Sequence, residues 1–188
     1  VYTYQLSDKL MTYDPRFTNT FPYGPATPNR RGLNYGGDYE NEKVQASING
    51  AAMSEIRGQG TEELKDFFLV QASVDVNVNK FLEWENHINL TLGYQYESTN
   101  RGGIDVERVD LNSNLLEAGI EIEIFDDFEL LFGAKLLVAE GSDYIPRIDE
   151  FNEVRDFPGR TEIDDTETLL AGGLKYTFKE GIFLTLQY

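Results

Sequence analysis

From Lys43 onward, apolar and polar residues alternate one by one along the chain. A period of two residues is the period of a β-strand, whose successive side chains point to opposite faces of a sheet. The pattern is clearest where Val74 and Val76 alternate with Asp75 and Asn77. Seven such segments follow one another, so the sequence predicts seven strands with one apolar face each.

The length of these segments indicates what the apolar face contacts. Most alternate for about nine residues or more, which is the length that a tilted strand needs to cross a bilayer, whereas strands of soluble proteins usually have about 5 to 6 residues. The sequence contains no run of about 18 apolar residues, which excludes membrane helices. We therefore predict an all-β fold, an antiparallel up-and-down transmembrane β-barrel. Seven or eight of its strands are present, and residues 1–6 would be the end of the eighth.

The chain divides into two parts at residue 42. Residues 1–42 are predicted to hold a strand end and a long loop rich in proline and aromatic residues, and residues 43–188 the membrane-spanning strands. Within the loop, residues 13–37 contain four prolines, which cannot donate the hydrogen bonds of a sheet. Links between strands are short at residues 80–86, 126–127 and 179–181, and longer at 57–65, 97–108 and 140–166. Short links at one end and long links at the other are typical of membrane barrels.

The alternation assigns each side chain to one of three environments. The side chains expected to face lipid are Val70, Val74, Val76, Leu90, Leu92, Ile120, Ile122, Leu130, Phe132, Leu136, Leu174 and Leu184. Those expected to line the lumen are Gln71, Asp75, Asn77, Thr91, Glu117, Glu121, Glu123, Lys135 and Lys175. Aromatic residues at the ends of the apolar segments are predicted to lie at the lipid–water interfaces: Trp84, Tyr94, Tyr96, Phe128, Tyr176, Phe178 and Tyr188.

Carboxylates are dense on the predicted lumen side. Unpaired charges cannot lie in a dry core, so this density implies a wet lumen or an interior filled by another polypeptide. A ring of carboxylates would favour cations in a pore. Alternatively, the charges form a paired network in which Glu121 and Glu123 contact Lys135 on the next strand. The sequence leaves both interpretations open.

Composition excludes several functions. The formal net charge is −17, which argues against a nucleic-acid partner because phosphate binding needs clustered Lys and Arg. The chain has no cysteine and a single histidine, His87, at the opposite rim from the acidic pair Asp164–Asp165. We therefore predict no catalytic site, no cofactor and no metal centre. The acidic residues of the 140–166 loop are compatible with divalent cations, but their spacing matches no calcium-binding motif.

The last seven residues, Ile182 to Tyr188, resemble the closing strand of bacterial outer-membrane β-barrels, which has a terminal aromatic residue preceded by apolar residues at every second position. The loop at residues 13–37 also resembles those of large Bacteroidota barrels. The resemblance implies a location in the bacterial outer membrane, in contact with lipid and lipopolysaccharide. If the short links are periplasmic, however, the last strand runs outward instead of inward. We therefore expect a longer chain that forms a larger barrel.

Three functions are consistent with these features. The first is a porin-like channel for polar solutes. The second is a non-conducting barrel subunit or scaffold that anchors other envelope proteins through residues 13–37 and 140–166 in a larger transport or secretion complex. The third is a soluble β-barrel that binds an apolar ligand.

Overall fold

The computed structural model describes residues 29–57, 62–104, 108–144, 160–179 and 182–187. These residues form eight strands and one short helix. In chain order the elements are β1 (Arg30–Glu40), β2 (Val44–Glu55), β3 (Asp66–Asn77), α1 (Val78–Leu82), β4 (Ile88–Arg101), β5 (Val109–Phe125), β6 (Phe128–Tyr144), β7 (Arg160–Lys179) and β8 (Ile182–Gln187). No helix in this part of the chain has the length and apolar character needed to span a membrane.

The eight strands form one antiparallel sheet whose strand order is the chain order, β1 to β8. Each strand pairs with its neighbours in sequence, which confirms the predicted all-β, up-and-down topology. Strands β1 and β8 are the edges, and among the described residues the sheet is not closed into a barrel. Because neighbouring strands alternate in direction, β1 and β8 run in opposite directions.

Tight turns join several strands at one end of the sheet, which we call the turn end. Between β5 and β6 the chain reverses at Asp126 and Asp127, and Asp127 has a φ of 69°. Aspartate tolerates this left-handed conformation better than most residues, and such two-residue turns fit the twist of a hairpin. Between β1 and β2, the Asn41 side chain accepts hydrogen bonds from the backbone N–H groups of Lys43 and Val44, at 2.8 and 2.7 Å. Such a side-chain bond mimics a backbone turn.

At the opposite end of the sheet, which we call the loop end, lie the strand ends that border residues 56–65, 102–108 and 145–159. The predicted segregation of short and long links is less strict than expected, because residues 78–87, at the turn end, contain α1 and are as numerous as residues 56–65. The helix itself was not predicted, since Val78 continues the apolar alternation of β3.

The predicted loop up to residue 42 is wrong for Arg30–Glu40, which form β1. The alternating Leu33, Tyr35 and Tyr39 share one face of this strand, but Gly36 and Gly37 interrupt the pattern. Pairing with β2 along its whole length places this segment in the sheet, since β-propensity depends strongly on neighbouring strands. Residues 1–28, including the predicted strand end at 1–6, lie outside the described residues.

Three strands extend further toward the loop end than the sequence predicts. The segments 97–108 and 140–166 were predicted as loops, but β4 continues to Arg101, β6 to Tyr144, and β7 begins at Arg160. Asp164 and Asp165 are therefore strand residues. Residues 145–159, which hold the remainder of the predicted acidic loop, lie outside the described residues.

The two faces of the sheet differ in burial. Residues paired across neighbouring strands share a face, so the register assigns every side chain. We call the face that carries Lys135 the inner face, because its side chains are the more deeply buried, and the other the outer face. Lys135 is 8% exposed, whereas Phe132 on the outer face is 49% exposed. A small apolar core on the inner face contains Val109, Leu111, Leu137, Ala139 and Ile163.

Candidate functional site

The outer face carries a continuous belt of apolar side chains across six strands, which we call the apolar band. It comprises alternate residues of 44–52 in β2, 68–76 in β3, 88–96 in β4, 116–124 in β5, 128–138 in β6 and 170–178 in β7. Leu92, Leu116 and Phe132 are each more than two-fifths exposed. Soluble monomers rarely expose contiguous apolar surfaces of this extent.

The predicted lipid-facing residues of β3 to β7 all lie in this band: Val70, Val74, Val76, Leu90, Leu92, Ile120, Ile122, Leu130, Phe132, Leu136 and Leu174. The register thus confirms that they share one face of the sheet. Leu184 lies in β8, a strand of which the structure describes only the backbone.

The apolar band runs diagonally across the hydrogen-bonded rows of the sheet. One row joins Gln45 of β2 to Ala171 of β7 through the strands between them. At the turn end, the band stops one position from this row in β2, at Val44, and seven positions from it in β7, at Phe178. At the loop end it stops seven positions from the row in β2, at Ala52, and one position from it in β7, at Leu170. Both edges therefore shift by the same six residues between β2 and β7.

The band spans nine residues of every strand except β6, where it spans eleven, so its two slanting edges are nearly parallel and describe a slab crossed by tilted strands. A shift of about six residues over five strand steps corresponds to a strand tilt of about 40°, given a rise of about 3.3 Å and a strand spacing of about 4.8 Å. Transmembrane barrels have strand tilts of about 35–45°. Nine residues at this tilt cover about 20 Å between the terminal Cα atoms, and side chains at both edges extend the band toward the roughly 25 Å of membrane barrels.

Aromatic residues mark both edges of the apolar band. At the loop-end edge, the hydroxyl groups of Tyr94 and Tyr96 donate hydrogen bonds to the Oδ1 atoms of Asn114 and Asn112, at 2.7 and 2.9 Å. Each tyrosine thus joins the apolar band to the polar residues beyond it. Tyrosine is enriched at membrane interfaces for this reason, since one end of the ring system is apolar and the other is hydrogen-bonded.

At the turn-end edge, aromatic rings pair with one another. Phe125 and Phe128 stack at 5.5 Å, and Tyr176 and Phe178 meet edge to face at 4.8 Å. The single tryptophan, Trp84, lies in the link after α1 and is more than half exposed. The predicted interfacial aromatic residues among the described residues thus lie near the edges of the apolar band, and Tyr188 lies outside the described residues.

The predicted lumen-lining residues all lie on the inner face: Gln71, Asp75, Asn77, Thr91, Glu117, Glu121, Glu123, Lys135 and Lys175. Several polar groups are bonded across strands. The Thr91 hydroxyl donates to Asp75 Oδ1 at 2.6 Å, and Glu123 Oε2 accepts the backbone N–H of His87 at 2.9 Å.

The ion pairs on the inner face differ from the predicted ones. Lys135 pairs with Glu117, which lies directly opposite in the register, and not with Glu121 or Glu123. An irregularity in β5 between Glu123 and Phe125 shifts the register by one residue and determines this pairing. Lys175 binds both carboxylate oxygens of Glu129 at 2.9 Å. The predicted paired network therefore exists with different partners, and Glu121 Oε1 is buried with no hydrogen-bond partner among the described residues.

The inner face is polar over only part of its length, although the sequence predicted polar residues along all of it. Toward the loop end it carries the apolar core, in which Leu111 and Leu137 are 4% and 2% exposed and Ala139 is fully buried. A sequence signal for this change exists but was missed. Adjacent leucines at 115–116 and 136–137 mark the points near which apolar residues move from the outer to the inner face of β5 and β6, whereas the inner face of β7 beyond Leu169 also carries Glu167 and Asp165.

The described residues hold no group of His, Cys, Asp and Glu side chains that could bind a metal ion. Comparisons with protein-family models, with characterised proteins and with solved structures found no match. Functional assignment therefore depends on the two faces of the sheet.

Proposed function

We propose that this chain forms the wall of a bacterial outer-membrane β-barrel, with the apolar band in contact with lipid. The observation that carries the proposal is the slanting geometry of the band, whose two edges shift by the same six residues between β2 and β7. A bilayer is a slab of constant thickness, so strands tilted through it acquire this pattern. The core face of a soluble protein would instead need a second layer of structure over Leu92, Leu116 and Phe132.

Membrane insertion also requires that no sheet edge faces lipid. Each unpaired backbone group costs several kcal/mol in hydrocarbon, so membrane sheets are closed. Strands β1 and β8 each have one partner among the described residues. The proposal therefore includes closure of the barrel, either by further strands between these edges or by direct pairing, for which their opposite directions are suitable.

The inner face would then line a lumen, and its charges favour cations. Opposite the apolar band it carries five carboxylates, Asp75, Glu117, Glu121, Glu123 and Glu129, against the two ammonium groups of Lys135 and Lys175. Five carboxylates against two ammonium groups leave this part of the inner face with a formal net charge of −3, counting the two lysine pairs. A channel with such a lining conducts polar solutes and prefers cations to anions.

A non-conducting barrel that anchors envelope proteins is the second candidate. The buried apolar core on the inner face favours it, because packed apolar side chains such as Leu111 and Leu137 exclude water. Residues 140–144 and 160–166, near which a partner was expected to bind, lie at the loop end of β6 and β7.

Tryptophan quenching by brominated lipid tests the membrane assignment. In a Trp84→Phe background the chain has no other tryptophan, so one new indole reports one position. Leu92→Trp, at the middle of the apolar band, should be strongly quenched in phosphatidylcholine vesicles brominated near the acyl-chain centre. The matched variant Asn112→Trp, on the same face beyond the band, should be quenched several-fold less. Equal and weak quenching of both would contradict the proposal and favour the soluble barrel.

Planar-bilayer recording distinguishes a channel from a non-conducting barrel that anchors other proteins. A channel predicts discrete current steps with K⁺ preferred over Cl⁻. Asp75→Asn should reduce this preference, whereas the control Asp164→Asn, on the outer face of β7, should leave it unchanged. If the inserted protein never conducts, the channel proposal fails and the anchor remains.

A further inference from the structure

Beyond the apolar band, toward the loop end, the polarity of the outer face reverses. The outer-face residues of β5, β6 and β7 there are Asp110, Asn112, Asn114, Glu140, Ser142, Glu162, Asp164, Thr166 and Thr168. None of them is apolar, although they continue the same face as Leu116 and Leu136. These strands therefore leave the apolar environment while the sheet itself continues without interruption.

At the same level the inner face gains a cluster of buried apolar side chains. Val109, Leu111, Ala139 and Ile163 are each less than a tenth exposed and pack together, with Leu115 partly buried against them. The same face also carries Ser113, Asp165 and Glu167, so the apolar side chains form a cluster within it and do not cover it. A polar outer face over a buried apolar cluster is the arrangement of a water-soluble sheet. We call the segments 109–115, 139–144 and 160–169 the distal wall.

The distance of this core from the apolar band follows from the strand geometry. Leu111 lies five residues beyond Leu116, and Ile163 seven residues beyond Leu170. With the tilt of about 40° and a rise of about 3.3 Å per residue, these offsets correspond to about 13–18 Å along the membrane normal. These parts of the core therefore lie outside the hydrocarbon if the band occupies it, whereas Leu137, which also belongs to the core, lies between the band residues Leu136 and Val138.

We propose, on the basis of the proposed membrane function, that the distal wall projects from the bilayer as a water-exposed extension whose inner side packs around the apolar core. The inner face then has two zones, a charged zone at the level of the bilayer and, beyond it, a zone that contains the buried apolar cluster.

Cysteine labelling in vesicles tests this arrangement, because the chain has no native cysteine. Neighbouring residues supply matched pairs, Val109→Cys with Asp110→Cys and Leu111→Cys with Asn112→Cys. A membrane-impermeant maleimide should modify the Asp110 and Asn112 variants rapidly. The Val109 and Leu111 variants should react at least about 100-fold more slowly, since a buried thiol is inaccessible and remains protonated.

A fifth variant, Leu92→Cys in the apolar band, distinguishes the two proposals. Comparable rates for Leu111→Cys and Asn112→Cys would overturn the packing of the distal wall around its apolar core, while protection of Leu92→Cys would leave the membrane assignment intact. Rapid modification of Leu92→Cys with slow modification of Leu111→Cys would overturn the membrane assignment, and with it the projection of the distal wall from a bilayer. If Leu111→Cys fails to fold, Val109→Cys gives the same readout with a smaller change in volume.

Discussion

Strand β5 passes through two environments without changing its pairing. Between Leu116 and Ile124 its outer face is apolar and its inner face carries Glu117, Glu121 and Glu123; between Val109 and Leu115 the outer face is polar and the inner face is apolar except at Ser113. Leu116 is 49% exposed, whereas Leu111, on the opposite face of the same strand, is 4% exposed. The backbone hydrogen bonds are thus the same in both parts of the strand, and only the side chains differ between them.

Substitution of a glycine should give the largest difference in stability between the two regions. Gly141, in the distal wall, has a φ of 144°, and a Cβ atom there would clash with the carbonyl oxygen of Asp110. Gly141→Ala should lower the free energy of unfolding by about 3–5 kcal/mol, because both the backbone conformation and the space exclude a side chain. Urea unfolding from lipid vesicles measures the change.

The control for this prediction is Gly172→Ala in the apolar band. A Cβ atom at Gly172 would meet the Phe132 ring at an ordinary 3.9 Å, so stability should change by less than about 1 kcal/mol. Equal effects at the two glycines would show that the distal wall is no more tightly constrained than the band.

The second-largest difference in stability between the two regions should come from a charge placed on the outer face. Leu92→Arg, at the centre of the apolar band, should destabilise the inserted protein by about 2–4 kcal/mol, whereas Asn112→Arg should cost about 1 kcal/mol or less because it lies beyond the band. The same vesicle unfolding assay applies. A similar cost at both positions would remove the distinction between band and distal wall.

On the inner face, breaking the ion pair opposite the apolar band should have a smaller effect on stability. Lys135→Met leaves the Glu117 carboxylate without its cation, and we expect a loss of about 2–3 kcal/mol, below the usual value for a fully buried pair because the Glu117 side chain is 23% exposed. The double variant Lys135→Met with Glu117→Gln should recover part of this loss. If the single variant is neutral, the pair does not stabilise the sheet.

The smallest effect should occur at the boundary of the two regions. Tyr94→Phe removes the hydroxyl bonded to Asn114 and should cost about 0.5–1.5 kcal/mol. A double-mutant cycle with Asn114→Ala isolates the interaction, and a coupling energy near zero would mean that this bond contributes nothing to the edge of the band.

Strong alternation allowed the sequence to predict much of this sheet. The faces of β3, β4 and β6 follow directly from it, and the turn at Asp126–Asp127 follows from the adjacent aspartates between two apolar segments. Strand β1 was missed because glycines dilute its pattern, and pairing with β2, which a local pattern does not contain, defines it.

The contents of the inner face were harder to predict. A one-residue irregularity near Ile124 decides that Lys135 faces Glu117, and such an irregularity leaves no clear trace in composition. The apolar core was missed for a different reason, because apolar residues were assumed to stay on one face along each strand. The assumption fails in β5 at Leu115 and Leu116, which lie on opposite faces of the sheet.

The match between strand order and chain order has a consequence for folding. Every pairing joins sequence neighbours, so the sheet can be assembled one hairpin at a time, beginning at a tight reversal such as Asp126–Asp127. Each added strand closes only a short stretch of chain, which keeps the entropic cost of every step low and favours rapid folding. Because growth at either edge never disturbs the pairs already made, a partly built sheet has the same local structure as the finished one.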